Sequence, residues 1–201
     1  MKSKTRSETM EETRCRLLLS ARRSFGADGY AATVMDELTA AAGVTRGALY
    51  HHFGDKKGLL LAVARQQDAE IEAGLAAAES AAPDPWQGFK RRCRAYLQAV
   101  TEPEAQRILL RDAPAVLGVD FVQAGQRQCV TAIAERLRGL MTTGEIRTAE
   151  PQALARLLNG ALVEAAAWAA SAERPEQALA QALDALEPLL EGLRQKGAST
   201  K

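Results

Sequence analysis

An all-α fold of about nine helices is the architecture this 201-residue chain predicts. Three observations support it. Apolar residues return every three or four positions along nearly every segment. Proline and glycine punctuate those segments at helical lengths. No stretch alternates apolar with polar residues as a half-buried strand does. Composition agrees: 47% of residues are hydrophobic and only 4% aromatic, so Ala and Leu, both good helix formers, carry much of the apolar content.

The elements follow in order. Over residues 13 to about 29, Leu17, Leu18, Ala21 and Phe25 recur at helical spacing, and Gly26 and Gly29 close the helix. Thr33 is expected to cap a second helix, because its hydroxyl can accept a free backbone N–H; Val34 and Leu38 then face inward, and the helix stops at Gly43. Thr45 caps a short third helix to about residue 53 that buries Leu49 and Phe53. After the Gly54-Asp55 turn a fourth helix runs from near Lys56 to about Ala81. Its stretch over residues 63–71 is thinly apolar, which suits a helix that links two domains. Pro83 and Pro85 break the chain, and Trp86, Phe89, Cys93, Tyr96, Leu97 and Val100 share one face of a fifth helix that Pro103 ends. A short sixth helix fits residues 108–113. A long seventh covers about residues 118–141, with Val122, Cys129, Ile133, Leu137 and Leu140 along it. Pro151 and Pro175 open the eighth and ninth, and Pro188 inside the ninth should kink it. The tail from Gln195 reads as disordered.

Several function classes are excluded at this level. The first residues are polar throughout, so no secretion signal is expected. The most apolar segment, residues 160–171, is interrupted by Glu164 and is far short of the roughly 20 residues a bilayer requires, so the expected location is cytoplasmic, away from membranes. Cys15, Cys93 and Cys129 form no C-x-x-C pair, and the two histidines are adjacent, so no zinc-ligand spacing exists; three reduced thiols, two of them core-packed, are expected. There is no glycine-rich phosphate loop, no G-x-S-x-G elbow and no H-E-x-x-H, so neither an enzyme nor a cofactor is expected. Net charge is +1 overall, but residues 1–65 carry net +4 and the remainder net −3. A basic first third on an acidic remainder fits nucleic-acid contact through the N-terminal part.

Residues 33–53, TVMDELTAAAGVTRGALYHHF, fit two helices joined by a tight glycine turn, a helix-turn-helix. The first helix must brace the second, so small inward residues are needed, and Ala40, Ala41 and Ala42 are the candidates. Gly43 lets the backbone turn sharply. The second helix buries Val44, Leu49 and Phe53, which leaves Thr45, Arg46, Gly47, Ala48, Tyr50 and His51 for the major groove. Arg46 can pair with a guanine through two hydrogen bonds, and Gly47 and Ala48 permit close approach to base edges.

The stretch FGADGYAATVMDELTAAAGVTRGALYHHFGDKKGLLLAV resembles the N-terminal domain of the TetR family of transcriptional regulators. The resemblance rests on F-x-x-x-G-Y (Phe25, Gly29, Tyr30), on Thr33, on A-G-V-T at residues 42–45, and on G-x-L-Y-x-H-F-x-x-K-x-x-L from Gly47 to Leu59; Leu38 stands where isoleucine is usual. It implies a repressor that binds double-stranded DNA. It also implies that Thr33, Tyr50, His52 and Lys56 hold phosphates, while Thr45, Arg46, Ala48 and His51 face bases. The implied organisation is a DNA-binding domain over residues 1–55 with an arm at 1–12 (Lys2, Lys4, Arg6), a linking helix at 56–82, and a ligand-binding and dimerisation domain at 83–201.

For that second domain the resemblance implies architecture alone: helices five to seven around a cavity for a small-molecule effector, and helices eight and nine pairing with those of a second copy. The ninth helix supports the pairing from its own pattern. Leu179, Leu183, Leu186, Leu190 and Leu193 alternate four- and three-residue steps, as a bundle seam does, and Ala161, Ala165 and Ala169 sit one turn apart on the eighth. The alternative is that both stripes serve the chain's own core. Phe89, Cys93, Tyr96, Leu109, Phe121, Val122, Gln126, Cys129 and Trp168 are the candidate ligand-binding residues, mostly apolar or aromatic with a few polar groups. A redox regulator that uses Cys93 or Cys129 in place of a ligand is the alternative.

Overall fold

The structure, a computed structural model, describes residues 6–195, with side chains from Glu8 onward. The chain forms α1 (Arg6–Asp28), α2 (Met35–Ala42), α3 (Arg46–Phe53), α4 (Lys56–Ser80) and α5 (Pro85–Thr101). Next come α6 (Pro103–Ala105), which continues through a π-helical stretch (Gln106–Asp112) into α7 (Ala113–Leu117), and then α8 (Val119–Thr142), α9 (Pro151–Ser171) and α10 (Pro175–Glu191). With residues 103–117 taken as one rod, the described residues form nine helical rods and no strand; Ile146 and Arg194 make an isolated bridge. Pro85, Pro151 and Pro175 each open a helix, where a missing N–H costs nothing. Asp84 caps α5 by accepting from the Gln87 N–H at 2.7 Å, and Glu150 caps α9 through Ala153.

The rods sort into two units. One comprises the described residues as far as Glu70 together with Pro103–Gly118. Leu17, Leu18, Ala21 and Phe25 of α1 are buried there, with Leu38 and Ala42 of α2, Leu49 of α3, and Leu59, Leu60, Val63 and Ala64 of α4. Residues 103–118 join this unit, where the sequence placed them in the second domain. Ionic and hydrogen-bonded ties to α1 and the loop after it are the reason. Arg22 Nε lies 2.6 Å from Glu104 Oε1, Asp112 accepts from the Tyr30 N–H at 2.7 Å, and Arg107 donates to the Ala27 carbonyl. Gly26 makes room for the contact, since a Cβ there would stand 2.8 Å from Glu104 Cγ.

The other unit holds Ile71–Glu102 and the described residues from Val119 on. Its core draws on α5 (Trp86, Phe89, Cys93, Leu97, Val100), α8 (Val130, Ala134, Leu137, Leu140), α9 (Leu158, Leu162, Ala166, Ala169) and α10 (Ala182, Leu183, Leu186, Leu190). Lys90 is buried among them and reaches two carboxylates, Glu187 at 2.6 Å and Glu191 at 2.7 Å. Those hydrogen bonds raise the Lys90 pKa and lower that of Glu191, which also accepts from the Trp86 indole at 3.3 Å. Arg92 and Arg136 share Glu79 in the same unit.

Local expectations fail where a neighbour overrides them. α1 starts at Arg6, well before residue 13, so Arg6 belongs to a helix; Lys2, Lys4 and residues 196–201 lie outside the described residues. Thr33 does not cap α2. Its hydroxyl instead donates to the Gly29 carbonyl at 2.8 Å, and α2 begins two residues later behind an uncapping Val34, which is 50% exposed. Ala40 and Ala41 are exposed; Leu38, Thr39 and Ala42 make the inner face of α2, because eight residues of helix can turn only one stripe inward. Val44 and Phe53 are half-buried, and of the three cysteines only Cys93 is buried.

Gly43 sets the reversal between α2 and α3. Its φ is 61°, in the left-handed region. Its N–H bonds the Ala40 carbonyl at 2.9 Å and the Val44 N–H bonds Thr39 at 3.0 Å, the paired closure of a Schellman end. Arg16 Nη2 of α1 donates to the Gly43 carbonyl at 2.9 Å, and a Cβ at Gly43 would collide with that guanidinium. Gly43→Ala therefore combines left-handed strain with a displaced arginine. It is expected to lower unfolding free energy by about 1–2 kcal/mol. Urea titration followed by far-ultraviolet circular dichroism measures this, and an unchanged midpoint would contradict it.

Candidate nucleic-acid interface

α3 is anchored at its start and along one side. The Thr45 hydroxyl caps it by accepting from the Ala48 N–H at 3.3 Å, and Leu49 is fully buried. The opposite side is open: Thr45, Arg46, Gly47, Tyr50 and His51 are exposed, while Ala48 and His52 are half-buried. The His52 ring is 6.0 Å from Phe53 and 5.6 Å from His51. An exposed helix face with a cation in its first turn, two small residues beside it and no acidic side chain suits a DNA groove.

Arg46 is not free-standing. Its Nη1 lies 3.0 and 3.3 Å from the two Asp36 carboxylate oxygens, its Nη2 donates to the Tyr50 hydroxyl at 3.2 Å, and its guanidinium sits 5.7 Å from the Tyr50 ring centre. The Tyr50 hydrogen bond and the Asp36 charge raise the Arg46 pKa further. Sequence reasoning missed Asp36. Ten residues and a turn separate it from Arg46, and no helical spacing rule links positions on different helices.

Thr33 and Lys56 are brought together, though differently from expectation. Thr33 is buried, and Lys56 Nζ donates to its carbonyl at 2.7 Å while lying 4.6 Å from the Tyr30 ring centre. Burial lowers the Lys56 pKa. One ammonium proton thus ties the first turn of α4 to the loop before α2. The Asp55 carboxylate accepts from the Gly58 N–H at 2.6 Å in the same turn.

The candidate ligand residues do not converge. Phe89 and Cys93 are core side chains of the second unit; Tyr96, Phe121 and Val122 are half-buried; Gln126, Cys129 and Trp168 are exposed. Leu109 belongs to the other unit, within the π-helical stretch. A cleft of about 470 Å³ in the second unit is lined by residues that include Glu79, Asp84, Phe89, Arg136 and Leu140, and shares only Phe89 with that set. Helical spacing identified apolar faces but not whether a neighbouring helix fills the space before them. Burial pushes the Cys93 thiol up to about 12, so it carries no thiolate near neutral pH, and the redox alternative finds no support there.

The residues of the candidate dimer seam divide in the same way. Ala169, Leu183, Leu186 and Leu190 are buried inside the chain's own core, Ala165 and Leu179 are half-buried, and Ala161 is exposed. α10 packs on α5 and α9, and Arg94 donates to the Leu183 carbonyl at 3.2 Å. On these two helices the exposed large apolar side chains are Leu157 (72%), Trp168 (45%) and Leu189 (49%).

Comparison with known proteins covers both units. Residues 17–63 match the family model described as bacterial regulatory proteins, tetR family, and residues 86–193 match the tetracyclin repressor-like C-terminal domain. A crystal structure of a TetR-family transcriptional regulator from Pectobacterium atrosepticum is 53% identical, covers 96% of this chain and 99% of its own, and superposes with a TM-score of 0.84. The TetC protein of transposon Tn10 from Escherichia coli is 27% identical over 154 residues, 76% of this chain and 78% of TetC. The HTH-type transcriptional repressor AcnR from Corynebacterium glutamicum is 44% identical over 59 residues, 29% of this chain and 31% of AcnR. With a capped, outward-facing second helix behind a Schellman turn, and with matches over both units, the chain belongs to the TetR family and is a DNA-binding transcriptional regulator rather than an enzyme.

Proposed function

We propose that this regulator represses transcription by binding a palindromic operator as a homodimer, and that a small hydrophobic effector releases it. The observation that carries the DNA reading is α3 itself, with Leu49 anchored inward, Arg46 and Gly47 exposed and Ala48 half-buried beside them. Arg46 reads a guanine, with Thr45, Ala48 and His51 beside it. Tyr50 and His52 of α3 hold phosphates, and Lys56 does so through the ammonium protons that Thr33 leaves available. A two-fold protein requires mirrored half-sites. Arg46→Ala is expected to erase preference at one base pair per half-site, about 1–3 kcal/mol of discrimination. The measurement is fluorescence anisotropy on a duplex that the wild-type protein has enriched from a random pool. Equal losses on enriched and random duplexes would refute the base-reading role, and a single asymmetric footprint would refute the two-fold site.

The surface offered to a second copy lies on the outer face of α9 and α10. Leu157, Ala161, Glu164 and Trp168 follow four-, three- and four-residue steps along α9 and are all exposed, with Leu189 exposed on α10. Together they replace the buried leucines as the interface. Leu157→Glu adds a charge where no packed core of the monomer requires leucine. Light scattering is expected to report folded monomers with weakened operator binding, and a persistent dimer would move the interface elsewhere.

The match of residues 86–193 to a tetracyclin repressor-like domain supports an effector site in the second unit. A ligand releases DNA only by favouring the non-binding state, and by linkage the operator must weaken ligand affinity equally. Trp86 and Trp168 are the chain's two tryptophans and both lie in this unit, so a true effector should change their fluorescence at the concentrations that release DNA. Release with both tryptophans silent would place the site elsewhere.

A further inference from the structure

We propose that Asp36, on the first helix of the helix-turn-helix, is a specificity-determining residue that holds Arg46 in the orientation in which it reads its base. This rests on the reading of α3 as the recognition helix. The observation behind it is a three-residue constellation across two helices. Asp36 takes Arg46 Nη1 through both carboxylate oxygens at 3.0 and 3.3 Å, and the Tyr50 hydroxyl takes Nη2 at 3.2 Å. All three residues are exposed, with Arg46 and Asp36 side chains 55% and 69% accessible. An ion pair this exposed adds little to folding stability, so stability does not account for it.

Its geometry has a different consequence. A guanidinium carries five N–H donors in a rigid planar fork. Two partners on different helices fix that plane, and the Nε–H together with the Nη protons they do not take is left to meet acceptors on one base edge. An arginine already oriented loses less rotamer freedom on binding, and loses it for one base geometry only. The carboxylate also opposes the phosphate charge nearby, which lowers affinity for every sequence alike. Asp36 thus favours discrimination at the expense of general affinity.

The test compares Asp36→Asn, Asp36→Ala and Arg46→Ala with wild type. The probes are the wild-type-enriched duplex, its variants at the base pair that Arg46→Ala identifies, variants at other positions, and a random duplex at one salt concentration. Both Asp36 substitutions are expected to lower discrimination at the Arg46 base pair at least fivefold and leave other positions unchanged. They should raise random-duplex affinity and leave the melting temperature essentially unmoved. Asp36→Asn combined with Arg46→Ala should discriminate no worse there than Arg46→Ala alone. Tighter binding to all duplexes with discrimination intact would overturn the inference, because Asp36 would then be only a repelling charge. Loss of discrimination at every position would overturn it too, as would a large fall in melting temperature. If the wild-type protein enriches no duplex, the DNA-binding assignment of α3 fails and this inference with it; enrichment followed by intact discrimination in both variants fails the inference alone.

Discussion

The chain reverses between Ala42 and Arg46 through one left-handed residue, and the placement of α3 depends on that reversal. Gly43 at φ 61° closes α2 with two backbone hydrogen bonds and leaves Thr45 extended, so that Thr45 can cap α3. Because the turn is this short, the direction of α3 relative to α2 is set by backbone hydrogen bonds rather than by side-chain packing alone. The Arg16 guanidinium on the Gly43 carbonyl then ties the turn to α1. Leu49 is the fully buried residue of α3, and Arg46, Gly47, Tyr50 and His51 stay exposed.

The same unit shows how charge recruits distant chain. Arg22, Gln67, Glu70 and Glu104 form one polar cluster beside the α1 and α4 cores. Glu104 Oε1 accepts from both Arg22 and Gln67, and Glu70 takes the other side of Arg22. Shared acceptors of this kind make residues 103–118 part of the N-terminal unit although 32 positions lie between Glu70 and that rod. The π-helical stretch begins just after one anchor, Glu104, and ends on the other, Asp112. In the second unit the corresponding device is Lys90, whose buried stem carries an ammonium between two carboxylates of α10 and so aligns α10 on α5.

Much of the helix-turn-helix was legible in the sequence. Gly43, the Thr45 cap, buried Leu49 and exposed Arg46 each follow from a local rule in which a residue's chemistry and its neighbours within one turn suffice. Thr33 and Val34 show the limit of such rules, since a loop carbonyl four residues upstream took the hydroxyl that local propensity assigned to a cap. Asp36 was invisible because its partner is on another helix. Cys129 and Trp168 share apolar or aromatic character with Phe89 and Cys93, yet the first two face solvent and the last two the core.

The sequence by itself determined the all-α class, the rods and their punctuation, the helix-turn-helix, and the family that its fixed spacings mark. These depend on periodicity, capping and backbone permissiveness, which are properties of a chain segment. Tertiary structure alone decided which apolar stripe a neighbouring helix covers. Leu183, Leu186 and Leu190 have the spacing of an intermolecular seam, yet α5 and α9 of the same chain bury them and leave Leu157, Trp168 and Leu189 outside. A hydrophobic stripe states that water is to be excluded; it carries no record of which surface excludes it, because burial of apolar area is non-directional.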